Sequence, residues 1–310
     1  MSRAVAIPRP GGPEVLEVID RPDREPATGE VRIRVRYAAV NPTDLGLRRS
    51  GTDRTRAPWI PGMDAAGQID LVGEGVTRLQ AGDEVMAVCT PRRADGGAQS
   101  ELLVVPAESA VLVPAHRTLA AAATLPMNGL TAILGLEMLG LAAGETLAVS
   151  GGPGVLGSYV ISLAKERGLT VIADARPGEG ELVRGFGADT VVQRAEVSFA
   201  EAVRAVAPDG VAGVYDTAVL NGAALPAIRD GGGLAVVRGW DGPSERDIAI
   251  HRVRVDTVLQ RTEWLEHLAT SAAEGLIQLR PLDEYPPERA AEAQQRMDAG
   301  GLRGRVLIAF

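Results

Sequence analysis

Three glycines stand at 151, 154 and 157 in the run Thr146-Leu147-Ala148-Val149-Ser150-Gly151-Gly152-Pro153-Gly154-Val155-Leu156-Gly157. The apolar residues before them read as a short buried strand, predicted over 147–149. Without a Cβ, a backbone can turn tightly and approach a ligand closely. The helix predicted over 155–167 aims its free N–H groups and positive dipole end at the same point, which suits a phosphate. A second strand, predicted over 171–173, runs directly into Asp174. Strand, glycine turn, helix, strand and acidic end together form a dinucleotide-binding unit. Gly151, Gly152, Gly154, Val155 and Leu156 are therefore the candidate cradle for a pyrophosphate. A turn that merely joins a strand to a helix is the plainer alternative. Beyond the strand the chain reads Asp174-Ala175-Arg176-Pro177. An acid here accepts hydrogen bonds from a ribose 2′-OH and selects NAD, whereas a nearby arginine accommodates a 2′-phosphate and selects NADP. Both are present.

The elements that must position this turn follow from the pattern around it. The first ~115 residues read as β-rich, as their density of turn signals suggests. Residues 31–37 alternate apolar and charged side chains, as a half-buried strand does. Gly11-Gly12-Pro13, Asn41-Pro42, Pro61-Gly62 and Ala81-Gly82-Asp83 are turn signals. Residues 101–105 form another strand. From Leu119 the texture changes to an alanine-rich helix at 120–123 and a second helix over 129–139. Strands at 190–192, 213–216 and 233–237 then alternate with helices at 180–186, 199–206 and 222–228. Repeated β-α-β implies a parallel sheet with helices on both faces. Ligands in such sheets lie beyond the carboxyl ends of the strands, which nominates Thr217, Ala218, Val237, Arg238 and Gly239. Trp240 walls the pocket or an interface. The last stretch, 287–310, holds an amphipathic helix and a strand at 305–309 that returns to the first domain.

Composition narrows the function classes. A chain of 310 residues predicts about two domains. The net charge of −8 opposes a nucleic-acid footprint, which needs a basic patch. No signal peptide is apparent, and no apolar run is expected to reach the ~20 residues of a membrane helix. The single cysteine, Cys89, excludes an internal disulfide and a four-cysteine zinc site. These features point to a cytoplasmic protein. Aromatic residues are only 3% of the chain, too few for a broad aromatic substrate platform.

Six markers in register now carry a resemblance. They are Ala38-Ala39-Val40-Asn41-Pro42-Thr43-Asp44, Pro61-Gly62-Met63-Asp64-Ala65-Ala66-Gly67, Gly82-Asp83-Glu84-Val85 and Leu125-Pro126-Met127-Asn128-Gly129-Leu130-Thr131-Ala132. Phe186-Gly187-Ala188-Asp189 and Arg303-Gly304-Arg305-Val306-Leu307 complete the set around the glycine turn. Over essentially its whole length the chain resembles the zinc-independent quinone oxidoreductase branch of the medium-chain dehydrogenases/reductases. The resemblance implies an α/β fold: a GroES-like β domain (1–118, completed by 263–310) and a Rossmann doubly wound domain (119–262). It also implies NADPH-dependent reduction of a quinone or of an α,β-unsaturated carbonyl, with the active site in the cleft between the domains. The partners expected are a small-molecule substrate and a second copy in a homodimer, with neither nucleic acid nor membrane.

The resemblance also distributes roles. Asn41 and Thr131 would line the nicotinamide and substrate end, with Met127 and Arg303 also contacting the cofactor. Asn41 is either a donor to an amide or carbonyl oxygen or an ordinary Asn-Pro turn. Asp44 either orients a catalytic group or caps the helix behind it. Tyr37 either supplies a phenol to the cleft or, as its strand position favours, packs. Zinc-dependent relatives place Cys where this chain has Asn41 and His where it has Met63, and neither Asn nor Met is a usual zinc ligand. His116, His251 and His267 show no ligand spacing. NADP, not NAD, is the cofactor the resemblance favours, with Arg176 supplying the cation. Enoyl reductases of the superfamily often carry a tyrosine acid a few residues after the Asn-Pro-x-Asp motif. Residues 46–54 contain none, so solvent or another group would deliver the proton. A tailoring enzyme performing enoyl reduction or reductive cyclisation, and a non-catalytic NADPH-binding protein, are the alternative readings.

Overall fold

The computed structural model describes residues 1–193 and 197–310. They divide into two compact units. One comprises Met1–Met127, Leu259–Ala273 and Leu279–Phe310; the other comprises Asn128–Val258 and Glu274–Gln278.

The first unit is β-rich. Strands β1 (Ser2–Ala6) and β2 (Glu17–Arg21) form an antiparallel ribbon. Strand β3 (Glu30–Ala39) follows, then helix α1 (Pro42–Ser50), β4 (Asp64–Val72), β5 (Glu84–Val88), β6 (Leu102–Pro106) and β7 (Ala110–Leu112). The alternation at 31–37 is the burial pattern of β3. Val31, Ile33 and Val35 enter a core with Ile69, Val85, Leu103 and Val105, while Arg34 and Arg36 face solvent. Pro42 opens α1, where its missing N–H would have had no helical partner anyway. Gly51, at φ +66°, ends it.

Helix α2 (Leu119–Ala122) and helix α3 (Pro126–Leu139) lead into the second unit, which contains all of α3 beyond Met127. There β8 (Thr146–Ser150), α4 (Val155–Glu166), β9 (Thr170–Ala175), α5 (Gly180–Arg184), β10 (Thr190–Gln193), α6 (Phe199–Val206), β11 (Val211–Asp216), β12 (Ile228–Val236) and β13 (Ala249–Arg252) succeed one another. The six strands are all parallel, in the order β10-β9-β8-β11-β12-β13. This is the doubly wound order, which reverses direction between β8 and β11 and opens a crevice there.

The chain then returns to the first unit through α7 (Thr262–Ala273), β14 (Pro281–Tyr285), α8 (Ala290–Asp298) and β15 (Arg305–Ala309). Strand β15 inserts between β14 and β3, and Ala290 and Ala293 of α8 pack with Val5, Val40, Leu45 and Ile308.

Four expectations need correction. The helix expected over 222–228 is a 3-10 turn, Asn221–Ala227, with Pro226 inside it. Proline lacks the N–H that an α-helix would use there. Strand β12 begins at Ile228 rather than 233, because the glycines at 231–233 hide its first half from propensity. Strand β13 was not anticipated. The stretch Leu119–Leu139 is long and apolar enough to cross a membrane by length and composition, contrary to the expectation that no run reached that length. In the fold, 83% of its most apolar window is buried in protein, as in a core helix.

Gly135 shows how tightly α3 packs. A Cβ at this position would lie 2.3 Å from the edge of the Tyr215 ring, whose hydroxyl donates to the Thr131 carbonyl at 2.5 Å. Gly135→Ala would gain about 1 kcal/mol of helix propensity. Overpacking costs about 1–3 kcal/mol and displacing the tyrosine hydrogen bond about 1 more. The variant should therefore be destabilised by about 1–3 kcal/mol, measured by urea unfolding.

Candidate active and dinucleotide site

The glycine turn leaves β8 at the switch point of the parallel sheet. Gly151 has φ +73°, a conformation that L side chains rarely adopt, and its carbonyl accepts from Gly154 N–H at 2.9 Å. A Cβ on Gly157 would collide with that carbonyl, so the glycine spacing is a packing requirement of the turn. Among the described residues no side chain caps α4 at Gly154, which leaves its first N–H groups for an anion. Val155 is buried and Leu156 half-buried.

Neighbouring strand tips clamp this turn from both sides. On the β9 side, Asp174 is 2% exposed, and its Oδ1 accepts from Gly151 N–H at 2.6 Å and Gly152 N–H at 3.2 Å. On the β11 side, Thr217 Oγ1 donates to the Ser150 carbonyl at 2.5 Å. Ser150 Oγ donates to Asp216 Oδ1 at 2.6 Å and accepts from Ala218 N–H at 3.1 Å. Asp216 Oδ2 takes the Asn221 N–H at 2.7 Å. Val219, Asn221 and Arg238 have φ of +59°, +54° and +65° just beyond β11 and β12. A β-branched residue such as Val219 in this region marks local strain of the kind that accumulates at ligand sites. Val237, Arg238 and Gly239 follow β12, and Arg176 follows β9. Both arginines are exposed, and neither guanidinium has a partner among the described residues.

In the first unit, a second constellation is built around two buried carboxylates. Asp44 takes the Asn41 N–H at 2.8 Å, the Gly62 N–H at 2.8 Å and the Gln99 amide at 3.4 Å. Asp64 takes the Asn41 side-chain amide at 2.6 Å and the Met127 N–H at 2.5 Å. Burial pushes the Asp44 carboxyl up to about 6, against the Asn41 and Gly62 N–H groups and Arg305, which favour the ionised form. Burial pushes Asp64 further, to about 7, with Asp44 adding to the rise and Met127, Asn41 and Arg305 opposing it.

The predicted site residues thus fall into groups. Asn41, Asp44 and Met127 come together around Asp64. Gly151, Gly152, Gly154, Val155, Leu156, Asp174, Thr217 and Ala218 come together at the turn. Thr131 lies one helical turn after Met127, 6% exposed. Arg303 precedes β15, half-buried, donating to the Leu302 carbonyl at 3.0 Å. Sequence reasoning missed Asp64, Gln99 and Arg305. Asp64 sat inside a quoted marker, and an acid beside three apolar or small residues was the available signal.

These donors do not suit a catalytic zinc. Asn41 offers an amide, one N–H of which goes to Asp64, Met63 offers only a buried thioether, and no group of three His, Cys, Asp or Glu among the described residues could hold a metal ion. The glycine turn does suit a dinucleotide, because it combines a close backbone approach with an uncapped helix start.

Comparison with known proteins agrees with this geometry. Residues 27–115 match the family described as alcohol dehydrogenase GroES-like domain, and residues 186–308 match that described as zinc-binding dehydrogenase. The quinone oxidoreductase of Sus scrofa is 28% identical over 98% of this chain and 97% of its own length. The 2-methylene-furan-3-one reductase of Solanum lycopersicum is 29% identical over 90% of this chain and 71% of its own. A mycobacterial protein solved in complex with NADPH superposes with a TM-score of 0.83 at 27% identity, covering 100% of both chains. The chain belongs to the medium-chain dehydrogenase/reductase superfamily, in its quinone oxidoreductase-like branch of NAD(P)-dependent reductases.

The raised carboxyls predict a pH dependence. Unfolded, Asp44 and Asp64 lose their protons near 3.8; folded, they hold them to about 6 and about 7. Between those values the folded state binds more protons, so their contribution to stability is greatest below pH 3.8 and is lost as pH rises to about 7. Asp64→Asn should flatten this decline, giving a Tm that falls less than the wild type's between pH 5 and 7.5, read by calorimetry.

Proposed function

We propose that this protein uses NADPH to reduce a quinone or the activated C=C bond of an α,β-unsaturated carbonyl compound. One observation carries the reading: the uncapped start of α4 behind a glycine turn, at the sheet's switch point, with the free Arg176 guanidinium beyond the neighbouring strand. The relatives named above support the two substrate classes, and the NADPH-complexed mycobacterial protein supports the cofactor.

Bound to this chain, the dinucleotide would supply a hydride, leaving the protein to provide positioning and electrostatics. The Val155 and Leu156 N–H groups hold the pyrophosphate at the positive end of α4. Arg176 meets the 2′-phosphate. Asn41 holds a carbonyl or carboxamide oxygen, and its amide is oriented by Asp64. Asp44 fixes the backbone of Asn41 and of Gly62, so the amide starts from a rigid loop. Without a metal, charge developing on the substrate's oxygen is met by hydrogen-bond donors. The proton that completes the reduction comes from solvent or from a group other than a tyrosine after Asp44, since that segment carries none.

Titration with NADPH, followed by assays of NADPH oxidation with simple quinones and enones, tests the reading. Tight NADPH binding and turnover are expected. Asn41→Ala should lower kcat/KM by about tenfold to a hundredfold while leaving NADPH affinity within a few-fold, as removal of an oxyanion-type donor does. Dialysis against EDTA should leave the rate unchanged. NADPH binding without turnover of any quinone or enone would overturn the enzymatic reading.

A further inference from the structure

We infer that Asp174 is a positioning residue of the phosphate cradle, an internal anion held by the turn's first two N–H groups, which leaves recognition of the nucleotide's 2′ end to Arg176. The inference rests on the dinucleotide reading of the glycine turn and goes beyond it by assigning cofactor choice.

An acid at the end of the second strand would ordinarily be read as the ribose partner. That role needs a carboxylate oxygen open to an incoming hydroxyl. Asp174 is only 2% exposed; its Oδ1 already accepts from both Gly151 and Gly152, and its Oδ2 is shut off from solvent as well. Two successive N–H groups converging on one oxygen form a small anion-binding concavity, and here its occupant is part of the chain. The backbone leaves no slack in this contact. A Cβ on Gly152 would lie 2.8 Å from the Asp174 carbonyl, so β9 and the turn touch through their main chains. On the opposite flank, a Cβ on Gly151 would lie 2.7 Å from Thr217 Oγ1. The turn is therefore wedged between two strand tips, and Asp174 is the charged half of the wedge.

Two consequences follow for a bound dinucleotide. Its pyrophosphate is left the N–H groups of α4, since those of Gly151 and Gly152 are taken. Its adenosine end finds the exposed Arg176, two residues along, with no partner of its own among the described residues. Selectivity for a 2′-phosphate thus resides in Arg176, while Asp174 supports the binding of any pyrophosphate-bearing nucleotide equally.

Calorimetric titration of the full chain with NADPH, NADH and adenosine 2′-monophosphate separates these roles. Asp174→Asn should weaken NADPH and NADH each by about tenfold, the loss expected for charge-assisted hydrogen bonds. Their ratio should stay unchanged. Adenosine 2′-monophosphate, which has no pyrophosphate, should bind as before; a merely structural defect would weaken all three ligands. Arg176→Ala should weaken NADPH and adenosine 2′-monophosphate by about tenfold and leave NADH untouched. A ratio that shifts in Asp174→Asn overturns the inference, because it would return the 2′ end to the acid. Should that variant fail to fold, Arg176→Ala decides, and 2′-phosphate selectivity that survives it, or that is lost in Arg238→Ala instead, overturns the inference as well. A wild-type protein that binds neither dinucleotide overturns the underlying reading of the turn, an outcome distinct from all of these.

Discussion

Buried backbone N–H groups at turns must find acceptors, and in this protein aspartate carboxylates supply them at four places. Asp44 serves Asn41 and Gly62, Asp64 serves Met127, Asp174 serves Gly151 and Gly152, and Asp216 serves Asn221. All four side chains are at most 2% exposed. An unpaired N–H in such surroundings costs about 1–3 kcal/mol, and burying a charge without partners costs more. Each pairing satisfies the N–H groups and offsets part of the cost of burying the carboxylate; for Asp44 and Asp64 burial still outweighs the hydrogen bonds. The loops that carry the candidate site inherit their shape from these contacts.

The same economy settles an apparent conflict of charge. A chain with a net charge of −8 is proposed to bind a strongly anionic ligand. What matters is the field at the crevice, where the acids at the strand tips are turned into the protein and hydrogen-bonded. The groups left outward beyond β9 and β12 are Arg176 and Arg238, joined by the positive end of α4. Net charge reports on solubility and long-range steering; local orientation governs the site.

Much of the second unit was legible because its strands are buried on both faces and read as plain apolar runs between helices. Helix α6 and strand β15 begin and end where the pattern placed them, over 199–206 and 305–309. Strand β13 escaped because it is four residues long, lies at the sheet edge and carries His251 and Arg252. The candidate site was half legible. Glycine spacing reveals a turn because backbone geometry is local, and the Asn-Pro start of α1 announces itself in the same way. Asp64 gave no comparable sign. Its meaning comes from Asn41 and Met127, 23 and 63 residues distant in sequence, and only the fold brings them to one carboxylate. Asp174 was visible, but the direction of its side chain was not, and that direction changes its role.

The path of the chain through the first unit bears on how the protein is made. Strand β15 pairs with the end of β3, Leu307 opposite Ala39 and Ala309 opposite Tyr37, and the Val306 carbonyl accepts from Val40 N–H at 2.9 Å. The backbone leading to Asn41 is therefore completed by residues that lie more than 260 positions downstream, beyond the second unit's sheet. The second unit's sheet, by contrast, is encoded continuously between Thr146 and Arg252. A growing chain can close that sheet on the ribosome while β3 still lacks a neighbour, and long-range pairing of this kind is slow to form. The sheet that carries the glycine turn can thus form before the polar constellation around Asn41 has its full backbone.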